Sequence, residues 1–276
     1  MAARSRSRVL LALALPPVVA AYGTHRFLTT LETKYPAQPP HSTSSVALGI
    51  PANPPTQHCA YVDVYSARVP VRALQDRAKR FGYTDSLSTK EDLSTVWARV
   101  LLGTRLFRAQ SSIVGLFSNG KFDPGDTGDA PGGFSSDPDT GAPRQLVNGL
   151  LLVERPPSNQ DSHGLLCSWK MADGPRKFFE NISFWGYPWR LMSGGRHEMS
   201  VSEPFDGEGE KARGPYVEVR FSSAHDFETF PSEGGVESQK HLPGWVARLH
   251  RGYARLLLDI AVRELEGRDN GRKLMR

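Results

Sequence analysis

Cysteine is scarce in this 276-residue chain: Cys59 and Cys167 are the only two. That excludes a disulfide-stapled scaffold and a Cys-rich zinc site. Signature motifs are missing as well. No G-x-G-x-x-G occurs, so a nicotinamide or flavin site of the Rossmann type has no support. No G-x-S-x-G elbow occurs, which removes the α/β-type serine hydrolases. His197-Glu198 lacks the second histidine of a zinc protease. Gly115–Lys121 matches a phosphate-binding loop until Phe122, which stands where Ser or Thr is needed, and it follows a helical pattern rather than a strand. What remains is an ordinary globular composition, 39% hydrophobic and 23% charged, at odds with wholesale disorder or a polytopic membrane protein. The length suits one large domain or two small ones.

The net charge of +5 sits at the two ends: Arg4, Arg6 and Arg8 at one, and Arg268, Arg272, Lys273 and Arg276 at the other. Residues 9–267 are close to neutral. A nucleic-acid binder concentrates basic charge on a folded face, so nucleic acid is not an expected partner.

The three N-terminal arginines precede an apolar run from Val9 to Gly23, broken by Pro16–Pro17. A basic stretch followed by a short apolar one is the layout of a secretory address. Residues 1–24 therefore read as a signal anchor or a cleaved signal peptide, with Val19-Ala20-Ala21 as the small-residue site. The run is shorter than the roughly 20 residues that cross a bilayer comfortably. The absence of any acidic residue before Glu32 also fits a mitochondrial presequence. A buried helix of the domain is disfavoured, because Pro16–Pro17 should break it. The expectation is a membrane-associated protein of the endoplasmic reticulum or secretory pathway, with mitochondria as the alternative and the membrane as a partner through this segment. In a lumenal setting the sequon Asn181-Ile182-Ser183 makes Asn181 a glycosylation candidate, and Cys59 and Cys167 are either a disulfide or two buried thiols.

Residues 25–57 hold six prolines among Ser and Thr and read as an extended tether. The domain itself is expected over 58–267, with 268–276 a basic tail. Cys59–Val69 alternates as a half-buried strand, ended by Pro70. Val71–Phe81 reads as a short helix. Ser88-Thr89-Lys90-Glu91 is a capping box opening a second, and Leu106–Phe117 forms a third. The Gly-, Asp- and Pro-rich stretch 119–143 is long for an internal loop, either mobile or functional. Its aspartates lack the spacing of a calcium loop, and no metal site is expected. Strands follow at 145–155, 164–171, 196–203 and 216–223, an antiparallel succession. A long helix closes the domain over Trp245–Gly267, with Trp245, Leu249, Tyr253, Leu256 and Ile260 on one apolar face and Arg251, Arg255, Asp259 and Arg263 opposite.

Strand, helices, several antiparallel strands and a long last helix make an α+β order. It resembles the helix-grip fold of START and polyketide-cyclase-type proteins, over roughly residues 58–267. The resemblance implies a curved antiparallel sheet wrapped around Trp245–Leu265; the N-terminal hydrophobic segment, read from its own residues, stands outside that fold. It also implies an apolar pocket for a lipid, sterol, polyketide or terpenoid. Segments 119–143 and 172–195 have no counterpart in that pattern. A hot-dog thioesterase-like arrangement is the runner-up, but there the dominant helix comes first.

Candidate site residues follow. The aromatic run Phe178–Trp189, interrupted by Gly186 and Pro188, reads as a loop or lid whose Trp185, Tyr187 and Trp189 face a ligand. Trp169, Arg196, Trp245, Leu249 and Tyr253 complete the expected ligand contacts. His197 alternates with Met199 and Val201, placing an imidazole in an apolar pocket, where it suits proton transfer. Glu218 and His225 are the other catalytic candidates, although Glu218 and Arg220 also read as a solvated pair; His163 and Asp226 are further polar candidates. The function expected is that of a cofactor-independent enzyme catalysing a cyclase-, isomerase- or lyase-type step on a terpenoid or polyketide. The alternative is a non-catalytic lipid or sterol carrier at a membrane.

Overall fold

A computed structural model describes residues 2–83, 89–158, 164–206 and 214–267. Helix α1 (Ala2–Lys34), the short α2 (Pro40–Thr43) and a 3-10 turn, Val46–Gly49, precede strand β1 (Gln57–Pro70). Helices α3 (Val71–Arg80), α4 (Lys90–Leu102) and α5 (Arg105–Ser118) follow, then β2 (Gln145–Leu146), β3 (Leu151–Arg155) and β4 (Leu165–Lys170). Helix α6 (Asp173–Phe184), β5 (Gly194–Val201), β6 (Phe205–Asp206), β7 (Pro215–Glu228) and α7 (Gly244–Leu265) complete the chain. The basic tail, His163 and Ser88 of the expected capping box lie outside the described residues.

The fold is α+β. Seven antiparallel strands form an open curved sheet in the order β1-β7-β5-β4-β3-β2, with β6 pairing to β7. The first strand therefore lies at one edge of the sheet, beside the last. Helix α7 packs against β1 and β7, and α4 packs against β5. The main core joins Leu93, Val96, Trp97 and Leu101 of α4 to Met199, Val217 and Val219 of the sheet and to Leu257, Leu258 and Ala261 of α7. Burial of such side chains stabilises by about 1.5–3 kcal/mol each. Thr89 caps α4, its hydroxyl accepting from the Asp92 amide.

Period-2 alternation gives the sheet two chemically different faces. Odd-numbered residues of β5 and β7 face the helices. Even-numbered ones face outward, where the Val46–Gly49 turn covers them: Leu48 packs with Leu166 and Ala224. Cys59 lies with this outer cluster, whereas Cys167 belongs to the main core. Both are free thiols on opposite faces of the sheet, not a disulfide.

Residues 25–57 are not an extended tether. Leu28, Leu31 and Tyr35 are buried, and α1 packs against α7. Lys34 and the Tyr35 hydroxyl both donate to Asp259; Arg248 pairs with Glu32 at 2.8 Å; Arg255 donates to the Tyr35 carbonyl. A Cβ at Gly252 would fall 2.1 Å from Leu28 Cδ2, so the bare glycine backbone is what lets α1 approach α7. Pro16–Pro17 do not prevent this, because helix α1 runs across them and they lie about three turns before the docked residues. Among the described residues no helix is long and apolar enough to cross a membrane.

The same contact corrects the expected face of α7. Arg255 and Asp259 are buried by α1, while Trp245 and Leu249 are 63% and 41% exposed. Segment 119–143 is fastened rather than loose: Asn148 donates to the carbonyls of Ser111 and Asp123, and Arg144 pairs with Asp126 at 2.7 Å. Asp123, Asp126 and Asp137 accept from backbone amides two or three residues on, as turn-forming aspartates do.

Candidate functional site: an apolar cavity under the last helix

A cavity of about 570 Å³ lies between α5, α7 and the helix-facing side of β3, β4, β5 and β7. Phe107, Val114 and Phe117 supply the α5 wall; Leu150, Leu151, Met192 and Phe221 supply other apolar surface; Tyr253, Ala254 and Leu257 come from α7. The volume falls in the range that holds a small-molecule ligand.

Strand register decides which polar groups reach it. Cross-strand pairing sets Trp169, Gly195, His225 and Tyr61 in one row across β4, β5, β7 and β1, and Cys167, His197, Ser223 and Asp63 in the next. The following row, Leu165, Met199, Phe221 and Tyr65, is apolar apart from its tyrosine hydroxyl. The sheet therefore presents polar groups at one end and hydrocarbon at the other. Of these, Trp169, His197 and Ser223 line the cavity, joined by His250 from α7. Gly195 makes room for the indole: a Cβ there would lie 3.0 Å from Trp169 Nε1.

Burial dominates the electrostatics of the imidazoles. Burial lowers His197 to about 3, with His250 nearby adding to the effect. Burial likewise lowers His225 to about 2, and it lowers His250. All three imidazoles are neutral at ordinary pH. His197 Nδ1 and both ring nitrogens of His225 are buried without a hydrogen-bond partner. Burial raises Tyr253 to about 12, and its hydroxyl donates to Gln110 Oε1 across the α5–α7 gap. Asp63 is raised by burial, an effect opposed by Arg251 and Arg255.

Several expected site residues lie elsewhere. Arg196 is an even-numbered β5 residue and points to the outer face. There it forms a buried bidentate pair with Asp226 at 2.7 and 2.8 Å and donates to the Leu48 carbonyl. Glu218 also faces outward, paired with Arg220 at 3.0 Å, so it has no catalytic position. His225 is fully buried but stands behind the cavity wall, against His250 and Tyr61. The aromatic run is largely helix: α6 ends at Phe184, and Trp185 is 84% exposed. Tyr187, Trp189 and Trp245 pack in a chain, tilted and then edge-to-face, with centroid separations of 4.8 and 6.4 Å. None of these, nor Leu249, lines the cavity. Trp169, His197 and Tyr253 do. Asn181 is exposed on α6, open to modification.

Sequence reasoning missed the α5 wall, Ser223 and His250. The α5 residues were readable as an amphipathic helix but gave no sign that their apolar face meets a space rather than a core. Ser223 is the last residue of the expected strand 216–223, on the same face as Phe221, but a serine at a strand end gave no sign that β7 continues to Glu228 and keeps it over the cavity.

The arrangement limits the chemistry. Acyl transfer by Ser223 needs a base hydrogen-bonded to its hydroxyl and a carboxylate orienting that base. Asp63 lies on the far side of Ser223 from His197 in the row, so it cannot orient the imidazole. Among the described residues, no group of three or more His, Cys, Asp or Glu is placed to hold a metal ion. Compared with protein-family models, curated proteins and solved structures, the chain matches none, so its reading rests on this geometry.

Proposed function

We propose that this chain is a helix-grip-like protein that binds an apolar small molecule reversibly in the cavity under α7. Supporting the helix-grip reading are the strand order β1-β7-β5-β4-β3-β2 and the packing of the last helix against β1 and β7. The observation that carries the function is the 570 Å³ cavity walled by Phe107, Val114, Leu151, Met192, Phe221 and Leu257, whose polar lining is uncharged apart from Lys170, an exposed residue at the end of β4.

Binding is favoured over catalysis by the basicity of those groups. A general base works best with a pKa near the operating pH. His197, lowered to about 3, is a poor proton acceptor but a good hydrogen-bonding group. A cyclase, isomerase or lyase here would draw more on orientation of the substrate than on proton transfer to His197.

Native mass spectrometry of the purified chain tests this. The expected result is a population heavier by one small molecule, which on release is apolar and is recovered chemically unchanged after prolonged incubation with fresh protein. Recovery of a rearranged product would make the chain an enzyme. A protein that never takes up an apolar compound at any concentration below its solubility limit would end the proposal.

A further inference from the structure

We propose that the molecule held in the cavity carries a neutral oxygen, a carbonyl or a hydroxyl, that hydrogen-bonds to His197 and Ser223 at one end of an otherwise apolar body. This inference rests on the reading of the cavity as a binding site.

His197 and Ser223 are direct cross-strand partners on β5 and β7. Side chains so paired stand about 5 Å apart at Cβ and face the same side. Both line the cavity. On one side of the pair along this face stands Phe221, which lines the cavity, with Met199, Val201 and Val219 in the core around and beyond it; on the other side stands Trp169, whose indole also lines the cavity. The polar pair therefore forms a polar spot on the sheet wall between Phe221 and Trp169. His250 lines the same cavity from α7. His197 Nδ1 is buried and unpartnered, so no protein contact at that atom fixes the tautomer. An imidazole free in this way can donate to a carbonyl or accept from a hydroxyl. Ser223 Oγ can do either as well. Two adaptable groups side by side suit one oxygen atom with two lone pairs.

An anionic headgroup is disfavoured there. The histidines are neutral because burial disfavours their charged forms. Asp63 is the next residue in the row beyond Ser223 and adds a carboxylate, with Arg251 and Arg255 beside it as counter-charges. The cation lining the cavity itself is Lys170, an exposed residue at the end of β4. A carboxylate would be drawn to Lys170 and away from His197.

The test uses Nile red as a neutral cavity probe, displaced in turn by naphthalene, 2-acetylnaphthalene and 2-naphthoic acid. The ketone is expected to displace the probe at a concentration about tenfold below the hydrocarbon, the net gain from one or two hydrogen bonds. The acid should be weaker than the ketone. In Ser223→Ala and His197→Phe the ketone-to-hydrocarbon ratio should fall towards one. The infrared carbonyl stretch of the bound ketone gives a readout independent of the variants and should lie below its value in a hydrocarbon solvent. Equal displacement by ketone and hydrocarbon means that water satisfies His197 and Ser223, and overturns the inference while leaving the cavity reading intact. Tightest binding by the acid overturns it in favour of a headgroup at Lys170. A ratio that survives both substitutions overturns it as well. Failure of Nile red to bind the unmodified chain removes the cavity reading and the inference together.

Discussion

Lowering the pH from 7.5 to 5.0 should destabilise the fold by about 4 kcal/mol through two residues, His197 and His225. In the unfolded chain a histidine titrates near 6.5. In the folded chain burial lowers His197 to about 3 and His225 to about 2. A depressed basic pKa means the folded state binds the proton less well than the unfolded state. Stability is therefore full above pH 6.5 and declines as pH falls below it, levelling only when the folded-state values are reached. At pH 5.0 the solution lies about 1.5 units below the unfolded pKa of each group, which costs about 2 kcal/mol per group. Set against a total of about 5–15 kcal/mol for an ordinary domain, that is a large share. His58, His241 and His250 are also lowered by burial and act in the same direction. The assay is urea unfolding at the two pH values for the native chain and for His197→Leu. The variant should lose about 2 kcal/mol less on acidification than the native chain. A midpoint that does not move between pH 7.5 and 5.0, or a variant as acid-sensitive as the parent, would falsify the claim that these imidazoles are buried and uncharged.

Other perturbations probe separate parts of the structure. Arg196→Met should cost about 3–5 kcal/mol by leaving Asp226 buried without its counter-charge, and adding Asp226→Leu should restore much of that; a single variant that unfolds at the parental urea concentration contradicts the pairing. Gly252→Val places a Cβ where Leu28 now sits, so trypsin should cut after Arg26 and Lys34 faster than in the parent. An unchanged cleavage pattern would show that α1 is not held there. Tyr253→Phe breaks the bond to Gln110 that ties α5 to α7. It should raise the rate of ligand exchange with a loss of stability of about 1 kcal/mol, and an exchange rate equal to the parent's would remove the tie from the account.

The local pattern in the sequence was enough to find most elements, because alternation and amphipathic spacing depend on near neighbours. Strand β1 was visible in Val62 and Val64 against Tyr61, Asp63 and Tyr65, and α7 in its long apolar periodicity. The errors have a common physical origin: a partner distant in sequence changed the environment of a local pattern. Arg255 and Asp259 looked like the solvent face of α7 and are buried because α1 lies over them. Residues 25–57 looked like a tether because proline density says nothing about what Leu28, Leu31 and Leu48 pack against. The expected strand 145–155 is divided because Val147, Asn148 and Gly149 turn the chain with φ of 58°, 56° and 80°, left-handed conformations that a valine gives no hint of adopting. At the site, His197 was readable from its apolar neighbours on β5. Arg196 shares a strand with it but, one residue away, faces the opposite side of the sheet; only the register with β7 and the buried Asp226 show where its charge is satisfied.

The most direct measurement of the central claim is a calorimetric titration of Nile red into the native chain and into Val114→Trp. Val114 lines the cavity from α5, so an indole at that position grows into empty space and occupies the volume a ligand would need. Uptake of one equivalent by the native chain, lost in Val114→Trp with the circular dichroism and melting temperature unchanged, is the predicted outcome. Equal uptake by both proteins would place the ligand somewhere other than beneath α7 and contradict the account.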